Sequence, residues 1–390
     1  MKYPLATDSW NWKEKLAILK VMVGGRYTMG SHVANFEKEF ADKMGSRNAV
    51  MVNSGSSANL VGLHALVLKK KIKPGSEVIV PAVSWSTTYF PITQLGLVPV
   101  FVDIDLDTFN LDIKNIIPAI TSKTCAVLAV NLLGNPCDLF NLQHICRDKN
   151  IELIEDNCES LGALSMGKQA GTFGTFGTFS FFFSHHLQTM EGGMIVTDDD
   201  ILADYMRSLR AHGWVRDLKT SSLYTKTGNS FEDSFKFVLP GYCVRPLEMS
   251  GAIGSVQLKK LDSILYNRRK NAEVFIEEFK DDFIIQKETV MGGDGISICN
   301  SSSWFGFGVI LKNELENKRE KVIEKLMKSG VEVRPIVTGN FTKQPVMKYI
   351  NKYIHGELKN SEYLDKNGFF FGNDHRDLRS KIKYVRKLIG

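Results

Sequence analysis

From residue 49 to about 200, short apolar runs recur along the chain: Ala49–Val52, Glu77–Val80, Pro99–Val102, Cys125–Asn131, Ile151–Ile154, Thr178–Phe183 and Gly193–Val196. Their lengths suit buried strands. Between many of them the apolar positions return three and four residues apart, as over Ser57–Lys70 and Leu139–Lys149. Strands alternating with helices predict a doubly wound, mainly parallel sheet. The repeat Gly171-Thr-Phe-Gly174-Thr-Phe-Gly177 is too short for a solenoid and reads as a glycine-rich turn feeding a strand.

Beyond Pro246 the texture changes. One long helical pattern covers Leu247–Phe279; Trp304–Leu311 then reads as a strand, Lys318–Lys328 as a helix and Val331–Arg334 as a strand. The pattern predicts a large α/β domain over residues 1–250 and a smaller α+β domain over 251–390.

Composition leaves this picture intact and removes some functions. A chain of 390 residues with 43% hydrophobic positions has room for two cores. The net charge of +6 makes no case for nucleic-acid binding. The run Lys69-Lys70-Lys71 ends a helical pattern, where cations suit the helix dipole. The six cysteines, Cys125, Cys137, Cys146, Cys158, Cys243 and Cys299, form no C-x-x-C pair. They suit a reducing cytoplasm, and no metal site is expected. No signal peptide is visible at the N-terminus, and no apolar run reaches membrane-spanning length, so no membrane partner is expected.

Chemistry concentrates just after the strands, where open α/β sheets bind ligands. Ser54-Gly55-Ser56-Ser57 follows a strand and opens a helix. Small residues there admit a phosphate to backbone N–H groups, although a plain glycine turn has the same look. Trp85 follows the next strand, as a cover for a flat ring or as a core aromatic. Asp156 ends another, either to pair with a pyridinium nitrogen or to cap a helix. The fourth block, Phe179-Ser180-Phe-Phe-Phe-Ser184-His185-His186, runs into Glu191-Gly192-Gly193.

In kind, order and spacing these blocks resemble the sugar aminotransferase (DegT/DnrJ/EryC/StrS-type) family, which uses pyridoxal 5′-phosphate. The likeness extends to Gly241-Tyr242-Cys243-Val244-Arg245 and Arg334-Pro335. It implies an aspartate-aminotransferase-like fold (fold type I), an α/β/α domain with a mixed, mainly parallel sheet plus the smaller α+β domain. In that family the fourth block carries a lysine, separated by five residues from Glu-Gly-Gly, that holds the cofactor covalently. Here that column is His185, and no lysine occurs between Lys168 and Lys219. An imidazole forms no stable Schiff base but does move protons.

The swap resembles the 3-dehydratase branch of the family. What it implies is a lyase: L-glutamate supplies an amino group, pyridoxamine 5′-phosphate is the working form of the cofactor, and a GDP-linked 4-keto-6-deoxysugar loses its C3 hydroxyl. By the same resemblance Gly55, Ser56 and Ser180 contact the cofactor phosphate. Trp85 stacks on the ring, Asp156 pairs with the ring nitrogen, Glu159 lies near the ring hydroxyl, and His185 is the base. Ser184 and His186 are neighbours of the nucleotide sugar, and a homodimer is expected. Cys243 stands where the family has an asparagine that reaches across the dimer, and it is a poor donor by comparison. Two rivals remain. The iron–sulfur 3-dehydrase of CDP-sugars also has histidine in the lysine column but needs cysteines converging on iron. An inactive relative acting as a scaffold would have no need of Asp156, Trp85 and the phosphate loop.

Overall fold

A computed structural model of the chain describes residues 2–225, 227–293, 296–299 and 301–390. The apolar runs become β1 (Asn48–Val52), β2 (Glu77–Pro81), β3 (Val98–Val102), β4 (Thr124–Val130), β5 (Glu152–Asp156), β6 (Phe176–Ser180) and β7 (Gly193–Thr197). Later segments add β8 (Ile284–Ile285), β9 (Gly306–Ile310), β10 (Val333–Arg334), β11 (Tyr353–Ile354) and β12 (Gly368–Gly372). The large sheet has eight strands in the order β1-β7-β6-β5-β4-β2-β3-β11. Within it β7 runs antiparallel to β1 and β6, and the other pairs are parallel. The carboxyl ends of β1, β2, β4, β5 and β6 therefore meet at one edge, where β7 begins.

Helices cover both faces, which is why the strands are apolar almost throughout. These are α1 (Trp12–Gly24), α2 (Ser31–Met44), α3 (Gly55–Lys70), α4 (Ser86–Gln94), α5 (Leu139–Lys149) and α6 (Asp200–Arg210). Successive strand residues point to opposite faces. Val80, Leu128 and Ile154 pack with Val61 and Leu66 of α3 and Met206 of α6. Ile79, Val127 and Leu153 pack with Leu142 and Cys146 of α5.

The pattern over Leu247–Phe279 divides into α7 (Glu248–Leu258) and α8 (Leu261–Phe279). Tertiary contacts fix the break. Lys260 turns its Nζ to Glu14 Oε1 at 2.5 Å and to Ser9 O at 3.2 Å. Glu248 accepts from the N–H groups of Gly30, His32 and Val33 at 2.6, 2.6 and 3.2 Å, so α7 caps α2. Helix α8 instead builds the second core, where Phe275 and Phe279 meet Phe307, Val309, Phe369 and Phe371. The four-stranded sheet of that core has the order β8-β9-β12-β10. Two segments cross between the bodies. Strand β11 joins the large sheet beside β3, and Tyr3 enters the second core, its hydroxyl donating to Gly372 O at 2.8 Å. We propose the domain division near residue 250 with these two exchanges across it.

Candidate active site

A cavity of about 270 Å³ opens at the carboxyl edge of the large sheet. Gly55 and Ser56 form one wall, in the first turn of α3. Ser54 caps that helix, its Oγ accepting from Ser57 N–H at 3.1 Å. At Gly55 a Cβ would lie 2.6 Å from Ser180 Cβ and 2.9 Å from Cys158 Sγ. Only glycine fits, and it brings the Ser180 hydroxyl to a helix N-terminus, a place that favours negative charge.

Asp156 ends β5 on the floor and is buried. Its Oδ2 accepts from Asn59 Nδ2 at 2.9 Å and Thr88 Oγ1 at 2.7 Å, and its Oδ1 from Cys158 N–H at 3.2 Å. No helix follows it, so it is not an N-cap. Trp85 precedes α4 and is 53% exposed, so it is not a core aromatic but an apolar plate beside the cavity. Glu159 Oε2 accepts from Leu133 N–H at 2.9 Å. Burial pushes its carboxyl up to about 7, with the nearby Asp156 charge adding. Burial likewise holds the Cys158 thiol well above its ordinary value.

Between β6 and β7 the chain turns to present the histidines. Strand β6 ends at Ser180, short of the expected Phe183, and Phe182 and Phe183 emerge 44% and 48% exposed. His185 and Ser184 line the cavity, with His185 Nδ1 3.4 Å from Ser184 Oγ. Burial pushes the His185 imidazole down to about 4, and the Arg268 guanidinium adds to the shift. At neutral pH His185 is therefore an uncharged base. His186 lies apart from the other predicted site residues. It is 1% exposed, does not line the cavity, and sets Nε2 3.0 Å from Ser303 O. The turn sends adjacent side chains opposite ways, so His186 faces the interior.

The cavity thus gathers Gly55, Ser56, Trp85, Asp156, Glu159, Ser180, Ser184 and His185. Sequence reasoning missed Asn59, Thr88, Phe305 and Arg334, which line it too. Asn59 was within reach, because it lies one helical turn from Gly55 and so on the same face. Phe305 comes from a distant segment and carries no local signal, and Arg334, although within the Arg334-Pro335 likeness, has nothing local that assigns it to the site. Cys125 sits on β4 and Cys146 on α5, Cys137 and Cys158 lie in separate loops, Cys243 is exposed, and the side chain of Cys299 lies outside the described residues. Among the described residues, no three His, Cys, Asp or Glu side chains gather to hold a metal ion.

A model of the DegT/DnrJ/EryC1/StrS aminotransferase family matches residues 10–376. The chain belongs to that family. Among its members, the chain is 50% identical over 396 residues to GDP-4-keto-6-deoxy-D-mannose 3-dehydratase of Escherichia coli O55:H7, covering 100% of each chain. The solved E. coli GDP-4-keto-6-deoxy-D-mannose-3-dehydratase with bound hydrated PLP matches with a TM-score of 0.95 and 49% identity, again over 100% of both chains. A structure of GDP-4-keto-6-deoxymannose-3-dehydratase with a trapped PLP-glutamate geminal diamine gives the same TM-score, identity and coverage. The fold of this family member is aspartate-aminotransferase-like, as the sequence blocks implied.

Proposed function

We propose that this chain is a pyridoxal-phosphate-dependent lyase that removes the C3 hydroxyl of GDP-4-keto-6-deoxy-D-mannose. L-Glutamate is the amino donor, and the products are GDP-4-keto-3,6-dideoxy-D-mannose, 2-oxoglutarate and ammonia. The observation that carries this reading is His185, an uncharged imidazole on the cavity wall in the column where the family has its lysine. The full-length likeness to an enzyme of that activity supports the choice of substrate.

The donor set fits the cofactor. Gly55, Ser56 and Ser180 would hold its phosphate and Trp85 its ring face, with Asp156 on the ring nitrogen and Glu159 near the ring hydroxyl. When bound, the cofactor supplies a primary amine and an electron-accepting ring. Asn59 and Thr88 fix the Asp156 carboxylate in one orientation and satisfy its lone pairs. His185 has Nδ1 turned to Ser184, which leaves Nε2 to take and return a proton. Because His185 bears no primary amine, nothing in its column competes with glutamate for the cofactor.

We further propose a cytoplasmic homodimer with shared sites, serving dideoxysugar (colitose) synthesis for lipopolysaccharide O-antigen. Exposed Tyr27, Phe182, Phe183, Met190 and Leu247 support the dimer. Ser250 Oγ donates to Thr189 O at 3.2 Å, which brings the start of α7, with Leu247, beside Met190. Among the described residues no helix is long and apolar enough to cross a membrane.

The test is incubation of the protein, cofactor and glutamate with GDP-4-keto-6-deoxymannose and, separately, its CDP and dTDP counterparts. A 3-deoxy ketosugar and ammonia should form fastest from the GDP sugar. A 4-amino sugar as the main product would overturn the reading.

A further inference from the structure

Behind His185 lies a buried cation that the proposed function leaves unexplained. Arg268 stands on α8 and is 4% exposed. Its Nη1 donates to two backbone carbonyls, Trp304 O at 3.2 Å and Phe305 O at 3.1 Å. Among the described residues it forms no salt bridge, and its Nε has no hydrogen-bond partner. The Asp374 carboxylate, whose charge reaches it, is paired with Arg376 at 2.7 Å. Burial lowers the guanidinium to about 10, which leaves it charged at neutral pH. An unpaired buried cation costs stability that a neutral side chain of similar size would not. Such an arrangement beside an active-site cavity points to chemistry.

The two gripped carbonyls bracket the backbone that carries Phe305. Its ring meets His185 edge-on, centroids 5.2 Å apart at 65°, and touches His186 at 5.8 Å. The strap is pinned elsewhere by Ser303 N–H to Gly134 O at 2.8 Å and Phe305 N–H to Leu133 O at 2.9 Å. His186 holds Ser303 O, and Asn373 Nδ2 donates to Trp304 O at 2.9 Å. Trp304 sits at φ +50°, a left-handed conformation that a bulky residue keeps only when its surroundings impose it.

We propose that Arg268 is a positioning residue for the base: its grip on the Trp304 and Phe305 carbonyls fixes the Phe305 ring against the His185 imidazole and sets a buried cation behind it. The inference rests on the reading of His185 as base. The charged and titratable groups around His185 are Arg268 from α8, His186 beside it, Asp156 and Glu159 at the end of β5, Glu191 before β7 and Arg334 of β10. After burial itself, Arg268 is the chief influence holding the imidazole down.

Three variants separate grip from charge. Arg268→Met removes both, Arg268→Gln keeps a donor without charge, and Arg268→Lys keeps charge with a single ammonium. The holoenzymes are assayed for kcat and KM against pH with GDP-4-keto-6-deoxymannose. The His185 pKa is read directly by NMR of histidine-labelled protein, assigned through His185→Asn. Arg268→Gln should raise the His185 pKa by about one unit and carry the acidic limb of kcat upward with it. KM should stay within about twofold, and Arg268→Met should also lower the limiting kcat about tenfold or more. Arg268→Lys should restore the limb. An unshifted imidazole in Arg268→Gln, or a limb displaced equally in Arg268→Lys, would overturn the proposal. If Arg268→Met fails to fold, the Gln and Lys pair decides. Full activity in His185→Asn would sink the base assignment instead, while the NMR titration would still report the effect of Arg268 on the imidazole.

Discussion

At the scale of single residues, His185 and Glu159 in the cavity titrate far from their ordinary values, in opposite directions and for the same cause. Burial lowers His185 to about 4 and raises Glu159 to about 7. Both are thus driven toward the uncharged form. His185→Asn keeps a polar group of similar shape but no base. It should retain the fold and bound cofactor, with dehydration reduced at least about a hundredfold. Cofactor absorbance and product analysis together check this, and near-wild-type turnover would move the base elsewhere. Glu159 gives a stability prediction with a definite sign. Its folded-state value lies above its ordinary 4.5, so the stabilisation is full below that pH and is lost as pH rises through about 7. Between about pH 5 and 8 the cofactor-free wild type should therefore lose about 2 kcal/mol relative to Glu159→Gln. Urea unfolding at both pH values measures the difference, and parallel pH slopes in the two proteins would refute it.

At the scale of elements, the glycine repeat is a turn organised by one carboxylate. Glu155, buried in β5, accepts from Gly171 N–H at 2.6 Å, Phe173 N–H at 2.6 Å and Gly174 N–H at 2.8 Å. Gly171 takes φ +92°, and at Gly177 a Cβ would lie 2.1 Å from Gly171 O. The repeat thus folds against β6, whose last residue is Ser180 of the proposed phosphate cradle. Glu155→Ala leaves three amides without their acceptor and should cost about 3 kcal/mol or more. Cofactor affinity should fall with it, since β5 and β6 carry Asp156 and Ser180. Denaturant titration and cofactor fluorescence measure both losses, and an unchanged unfolding midpoint would contradict this role for Glu155.

At the scale of the whole molecule, some of the apolar residues left outside the cores lie at the site, Trp85 and Phe182 on its lining. Phe182 and Phe183 belong to an aromatic run that looks like strand interior, yet they reach the surface where β6 ends. A second copy of the chain would cover them. Light scattering should give a dimer mass for the wild type. Phe183→Asp should shift the mass toward monomer and lower turnover in step. A wild-type monomer that keeps its activity on dilution would overturn the shared-site dimer.

The sequence by itself determined the mainly parallel sheet, because strand-length apolar runs separated by helical periodicity admit few other packings. It also determined which short blocks lie at the ligand edge, since each follows a strand directly. Local chemistry marked a glycine where a helix opens and a carboxylate ending a strand, and the family resemblance marked a histidine in a lysine's column. Tertiary structure decided what depends on distant neighbours. It split Leu247–Phe279 into two helices by anchoring Lys260 on Glu14 and Glu248 on α2. It turned His185 to the cavity and His186 to the interior, a choice made by the turn and by the carbonyl of Ser303. And it placed Arg268 and Phe305, from α8 and the start of the second sheet, behind His185, where only the packing of the second core against the first could bring them.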